Sequence, residues 1–226
     1  MNDRECAGRL IASTTHELRN VLAVLRETSG LAQDLLACGT AAAREKLPAT
    51  LRETGRSVER IAALADSLDG LAQGAAGRRE PCCDVGAVAR AFCRMMARAG
   101  KACGIMFDET ASSAPSVPAP LEAFDAHLAL MNVFDVCAAA GGGVALALTA
   151  EVRHAMCGLL LEARPLQGEH CAALDRLAAL PALTPLPPRW AERLSLGKTI
   201  KRRFWLPLAA VCPAASPAGS MAEGKE

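Results

Sequence analysis

The residues best suited to chemistry stand together near the N-terminus, in the string Thr15-His16-Glu17-Leu18-Arg19-Asn20. An imidazole has an unperturbed pKa of about 6.5, so near pH 7 a neutral ring with a free nitrogen lone pair is at hand. A carboxylate beside it can hold the other ring nitrogen and orient an attack, which is what a nucleophilic histidine needs. Apolar residues around the string recur in steps of three and four: Leu10, Ile11, Leu18, Val21, Leu22, Leu25, Leu31, Leu35 and Leu36. That spacing predicts one long helix with an apolar stripe. With Leu18, Leu22 and Leu25 in the seam, about 100° per residue sets His16 about 200° from Leu18 and turns it to solvent. Asn20 falls one turn further along the same face, with Glu17 adjacent to His16. An exposed histidine on a helix is common, so its meaning depends on the elements that carry it.

The first stripe ends at Cys38-Gly39-Thr40, where Gly39 suits a helix cap. A second stripe follows, Leu47, Leu51, Val58, Ile61, Leu64, Leu68 and Leu71, and stops at Gly74 and Gly77. Glu53 and Arg56, three apart, suit its wet face. Residues 1–77 therefore read as a long helical hairpin. One hairpin buries two stripes of this length poorly, and pairing with a second copy into a four-helix bundle would cover them. A homodimer is the expectation.

After a linker at 77–81, residues 82–212 read as α+β. Helical spacing covers 85–99 and 121–139. Ile105-Met106-Phe107, 144–148, 156–161 and 203–208 read as strands, and 171–180 as a short helix. Residues 114–120 read as a loop and Gly141-Gly142-Gly143 as a turn. The four prolines of 181–188 are expected to break structure. The tail, 213–226, is small, polar and expected to be disordered.

Composition narrows the function classes. Across 226 residues, Lys+Arg and Asp+Glu nearly cancel, leaving a net charge of +1 and no field to gather nucleic acid or anionic lipid. Aromatics are 3% with no Tyr, so base-stacking platforms are not expected. No apolar run reaches the ~20 residues of a membrane span, and the N-terminus lacks a signal-peptide core, so a cytoplasmic protein is expected. Ten Cys are scattered without a C-x-x-C pair, which argues for buried small hydrophobes rather than a metal site. His127, His154 and His170 stand singly and read as structural or exposed. Lys201-Arg202-Arg203 with Lys198 reads as a solvated strand edge.

On a hairpin, His16-Glu17-Leu18-Arg19-Asn20 resembles the H-box of sensor histidine kinases. In that family the His is the phosphoacceptor of a dimerisation domain built as a four-helix bundle. The second helix, with Arg60-Ile61-Ala62-Ala63-Leu64, looks like its usual partner. Residues 84–109, then 128–148, then Arg203-Phe204-Trp205-Leu206-Pro207-Leu208 resemble parts of the family's Bergerat-type ATP-binding domain. The similarity covers roughly residues 5–210, and its specific part is the H-box.

The departures fall on the ATP residues. Asn132 fits the first of the family's two N-box Asn, but the second position is Val136, with Asp135 one residue off. The glycine boxes have no counterpart: Glu162 is the only acid of strand 159–165, and only Gly197 lies in 193–199. Val21 stands where the family often has Pro. The combination resembles the dimeric histidine phosphotransferases, whose degenerate second domain no longer feeds phosphate from ATP. The resemblance implies phosphoryl exchange between a receiver aspartate and His16. Glu17 would orient the ring or accept its proton, Asn20 would position water, and Arg19 would contact phosphate or partner. No cofactor or metal of its own is implied; Mg2+ would come from the receiver. The implied partners are a second copy, response-regulator receiver domains and a hybrid histidine kinase, with no nucleic acid and no membrane. A divergent cytosolic sensor histidine kinase and a non-catalytic dimeric regulator are the alternatives.

Overall fold

The computed structural model describes residues 3–75, 82–108, 116–186 and 201–210. Two long helices come first, α1 (Asp3–Cys38) and α2 (Ala41–Ala75). The chain reverses through Gly39, at φ +64 in the left-handed region that glycine enters freely. Thr40 Oγ1 then accepts the Ala43 amide at 3.2 Å and caps α2.

The remaining elements form one α/β unit. They are β1 (Cys83–Asp84), α3 (Val85–Ala102), β2 (Ile105–Phe107), β3 (Pro118–Ala119), α4 (Ala123–Ala139), β4 (Val144–Arg153), β5 (Met156–Pro165), α5 (Ala172–Ala178), β6 (Thr184–Leu186) and β7 (Arg202–Ala210). The main sheet has the order β2-β4-β5-β7-β6, parallel only at β2–β4. The fold is mixed, long helices followed by a helix-covered sheet, as the sequence predicts.

Alternation along the strands makes the core. Val144, Leu146 and Leu148 of β4, Cys157, Leu159 and Leu161 of β5, and Phe204 and Leu206 of β7 meet Phe92, Met96, Leu130, Met131 and Phe134 of α3 and α4. Cys6 and Leu10 of α1 and Leu71 of α2 belong to this same core, so the open end of the hairpin is packed on the sheet unit.

Several local expectations change. The proline run yields β6, because Pro185 lies in an edge strand, where a missing amide costs nothing on the open side. The expected loop contributes β3, which pairs with β1 as a two-residue ladder. Strands β4 and β5 run longer than expected and join through His154 and Ala155, at φ 49 and 59, a tight two-residue turn. The linker, residues 114–115 and 187–188, Gly197, Lys198 and the tail lie outside the described residues.

The triple glycine is a packing device. A Cβ on Gly142 would overlap the Cys103 carbonyl. The Gly141, Gly142 and Gly143 amides donate to Ala138 O, Cys137 O and Gly104 O at 3.0, 2.9 and 2.7 Å. The glycines thus let the end of α4 close onto the turn before β2.

Candidate functional site at His16

The face of α1 turned to α2 is not the one expected. Around His16 its buried positions are Leu10, Thr14, Glu17 and Val21, whereas Leu22 is 51% exposed and Leu18 and Leu25 are half-buried. The seam tolerates polar residues because each finds a partner there. Thr14 Oγ1 donates to the Leu10 carbonyl at 2.7 Å, and Ser57 Oγ to the Glu53 carbonyl at 3.0 Å. Glu17 accepts a charge-assisted bond from Arg60 of α2 at 2.6 Å.

His16 is exposed in this frame too, about 125° round the helix from the seam. Its ring makes no hydrogen bond or ion pair with a described residue. Arg19 and Asn20 share its outer face and are exposed. The Asn20 side-chain carbonyl accepts from Arg98 of α3 at 2.7 Å. The helix therefore groups His16, Arg19 and Asn20, while Glu17 turns into the seam.

Next to this face, α1 and α2 leave an open groove of about 320 Å³, lined in part by Asn20, Val21 and Val24 and by Glu53, Arg56 and Arg60. Arg56 reaches Glu53 at 3.1 Å on its wet side. Sequence reading missed Arg60 and Arg98 as site residues. Their partners lie 43 and 78 positions away, and no local pattern marks such a distance.

The other flagged residues lie elsewhere. His127 is buried, with Nδ1 2.7 Å from the Ala123 carbonyl, and burial pushes its pKa down. His154 sits in the exposed β4–β5 turn, and His170 contacts Asp175 at 2.9 Å. The cysteine expectation holds in part. Cys6, Cys93, Cys137 and Cys157 are buried and Cys83 and Cys171 partly so, but Cys38, Cys82 and Cys103 are exposed. Burial pushes the Cys137 thiol up to about 12. In the basic run, Lys201 lies 3.6 Å from Glu162 and Arg202 3.1 Å from Asp175, while Arg203 is buried. Among the described residues, no group of three His, Cys, Asp or Glu is placed to hold a metal, and no helix is long and apolar enough to cross a membrane.

These features define a class of structure: a long two-helix hairpin with an exposed histidine, followed by helices on a mixed five-stranded sheet. No family model matches the chain, and no curated protein matches it. Solved structures do match. The histidine kinase AdeS of Acinetobacter baumannii is 15% identical, over 86% of this chain and 98% of that one, with a TM-score of 0.32.

Proposed function

We propose that this chain passes phosphoryl groups between receiver aspartates and His16 without using ATP. The observation that carries the reading is an unengaged imidazole on the outer face of α1, set in an H-box string beside an open groove of the hairpin. In the forward step a ring nitrogen of neutral His16 gives its lone pair to phosphorus and the N–P bond forms. The P–O bond of the aspartyl phosphate breaks, and its pair leaves with the carboxylate. The proton on the other ring nitrogen stays or passes to water. In-line geometry and charge neutralisation do most of the catalysis, with the receiver and its Mg2+ supplying the latter.

Leaving ATP out is supported by the described residues at the corresponding places. Asp135 is held by Arg9 through two bonds, at 2.6 and 2.8 Å. Val136 is half-buried against the core, and the triple-glycine amides are spent within the fold. Neither a free carboxylate nor a cradle of phosphate-facing amides is offered there.

The proposed assembly is a cytoplasmic homodimer closed by the bundle. Ile11, Leu22, Leu51 and Val58 are each about half exposed. Counted from the seam in one rotational sense, these residues of both helices turn to the same side of the antiparallel pair. A second reading, a non-catalytic dimeric regulator, is favoured by one observation: Glu17 is committed to Arg60.

Incubation with a phosphorylated receiver, and separately with labelled ATP, separates these readings. Phosphotransfer expects label on His16 from the receiver, lost in His16→Ala, and none from ATP. Labelling by ATP would identify a kinase. Full biological function in His16→Ala would identify the regulator.

A further inference from the structure

The hairpin and the sheet unit are joined by side-chain bonds along one face of α1. Arg9 grips Asp135, Ser13 Oγ donates to the Met95 carbonyl at 2.6 Å, and Asn20 holds Arg98. The first two stand at the partly buried root of the hairpin, where they help fix its angle. The third is different. Arg98 and Asn20 are both exposed, so their bond adds little to stability. It lies one helical turn past His16. On the helix His16 falls between Arg19 on one side and Asn20, with its bound guanidinium, on the other. An arginine carries five N–H donors in a planar fork suited to phosphate oxygens, and one of them reaches Asn20 here.

We infer that Arg98 contacts the phosphoryl group carried on His16, so that the sheet unit supplies a cation to the hairpin's reactive face and Asn20 is the positioning residue that holds it there. The inference rests on phosphoryl transfer at His16. The bond made is the N–P bond described above; Arg98 forms hydrogen bonds to the non-bridging oxygens and takes no part in proton balance. A cation there stabilises the doubly charged phosphoryl group of resting phosphohistidine through charge-assisted hydrogen bonds. The same contact draws the phosphoryl equilibrium from the receiver toward His16.

Two measurements on the full chain test this. In the first, phosphoramidate phosphorylates the protein directly, His16→Ala defines the background from exposed His154 and His170, and the lifetime of phospho-His16 is followed. In the second, the partition of phosphate between a phosphorylated receiver and His16 is read at equilibrium. Arg98→Ala is expected to shorten the lifetime several-fold and to shift the partition toward the receiver by about tenfold, the scale of one charge-assisted hydrogen bond. Arg98→Lys should recover most of both, because the charge remains. Asn20→Ala should fall between, and the double variant should be no worse than Arg98→Ala alone. Melting temperature should stay level throughout. Wild-type lifetime and partition in Arg98→Ala would overturn the inference, as would losses that follow a fall in melting temperature and resist rescue by Lys. If the receiver gives no phosphate while the lifetime still depends on Arg98, the relay reading falls and the contact stands.

Discussion

The sheet unit and the hairpin bury their side chains by different rules. In the sheet unit, Phe92, Met95, Met96, Ile105, Leu130, Leu159 and Phe204 are almost wholly covered, and only Met106 and Val152 are large apolar groups left exposed among the described residues. The hairpin has seven such exposed groups: Ile11, Leu22, Val24, Leu31, Leu36, Leu51 and Val58. Its seam meanwhile buries Thr14, Glu17, Ser57 and Ser67. The hairpin thus keeps polar groups in its seam and large apolar ones on its flank. The sheet unit closes its core within one chain; the hairpin leaves an apolar flank open, the face that the proposed dimer would cover.

The largest effect that would sharpen this contrast lies in the sheet unit. Phe92 is 1% exposed and meets Phe107 edge to face, with ring centres 6.0 Å apart. Phe92→Ala should cost about 3–5 kcal/mol, read from the denaturant midpoint. A cost below about 1 kcal/mol would show that this core is not the complete one described. Next comes the hairpin flank. Leu22→Glu with Val58→Glu alters side chains that are half exposed in the single chain, so the monomer's fold should be kept. At about 1.5–3 kcal/mol per buried aliphatic side chain, doubled by symmetry, dimer dissociation should weaken by at least about 100-fold. Sedimentation at graded concentrations reads it. A wild type that sediments as a monomer at micromolar concentration breaks the comparison, because the flank is then simply wet.

Periodicity made the long elements legible. Leu10 to Leu36 and Leu47 to Leu71 repeat every three or four residues, which is enough to draw α1, α2 and the outward turn of His16. It could not choose the seam. Two apolar stripes run along α1, and the one with more leucines is the flank. Glu17 reads as a neighbour of the exposed His16 until Arg60 appears as its partner, and nothing in the sequence marks Thr14 as a seam residue. In the sheet unit, β2, β4, β5 and β7 were visible as short apolar runs. β1 and β3 are too short to leave a pattern, and β6 hides in a proline run that only an edge position tolerates. At the site, the face shared by His16, Arg19 and Asn20 follows from helical geometry. The loss of Glu17 from that face and the arrival of Arg98 depend on tertiary contacts.

A smaller effect tests the polar seam. Glu17 is nearly buried while Arg60 is about half exposed. Arg60→Ala leaves the carboxylate in the seam without its cation, at a cost of about 1–2 kcal/mol after allowance for the exposed partner. Arg60→Ala with Glu17→Leu should recover most of it, read by thermal melting. Failure to recover would mean that Glu17 holds its place for reasons other than pairing.

The smallest effect separates the two regions by acid. The hairpin's buried carboxylate, Glu17, is paired, whereas His127 in the sheet unit has a buried Nε2 with no partner among the described residues. Burial lowers the His127 pKa, although the bond to Ala123 O pulls the other way. The unfolded chain takes the proton near pH 6.5 and the folded chain resists it. Stability is therefore full above about pH 6.5 and falls as pH drops toward the lowered folded value, by at most about 1.4 kcal/mol per pH unit. His127→Leu keeps the apolar volume and removes this titration, so its acid limb below pH 6.5 should be flatter than that of the wild type. The difference should appear in near-ultraviolet signals from the sheet unit's Trp205, which is buried, and Arg60→Ala should leave it unchanged. Equal acid limbs in His127→Leu and wild type would mean that the folded core opens to water at α4 readily enough to charge the ring, and the sheet unit would then be less closed than its buried side chains indicate.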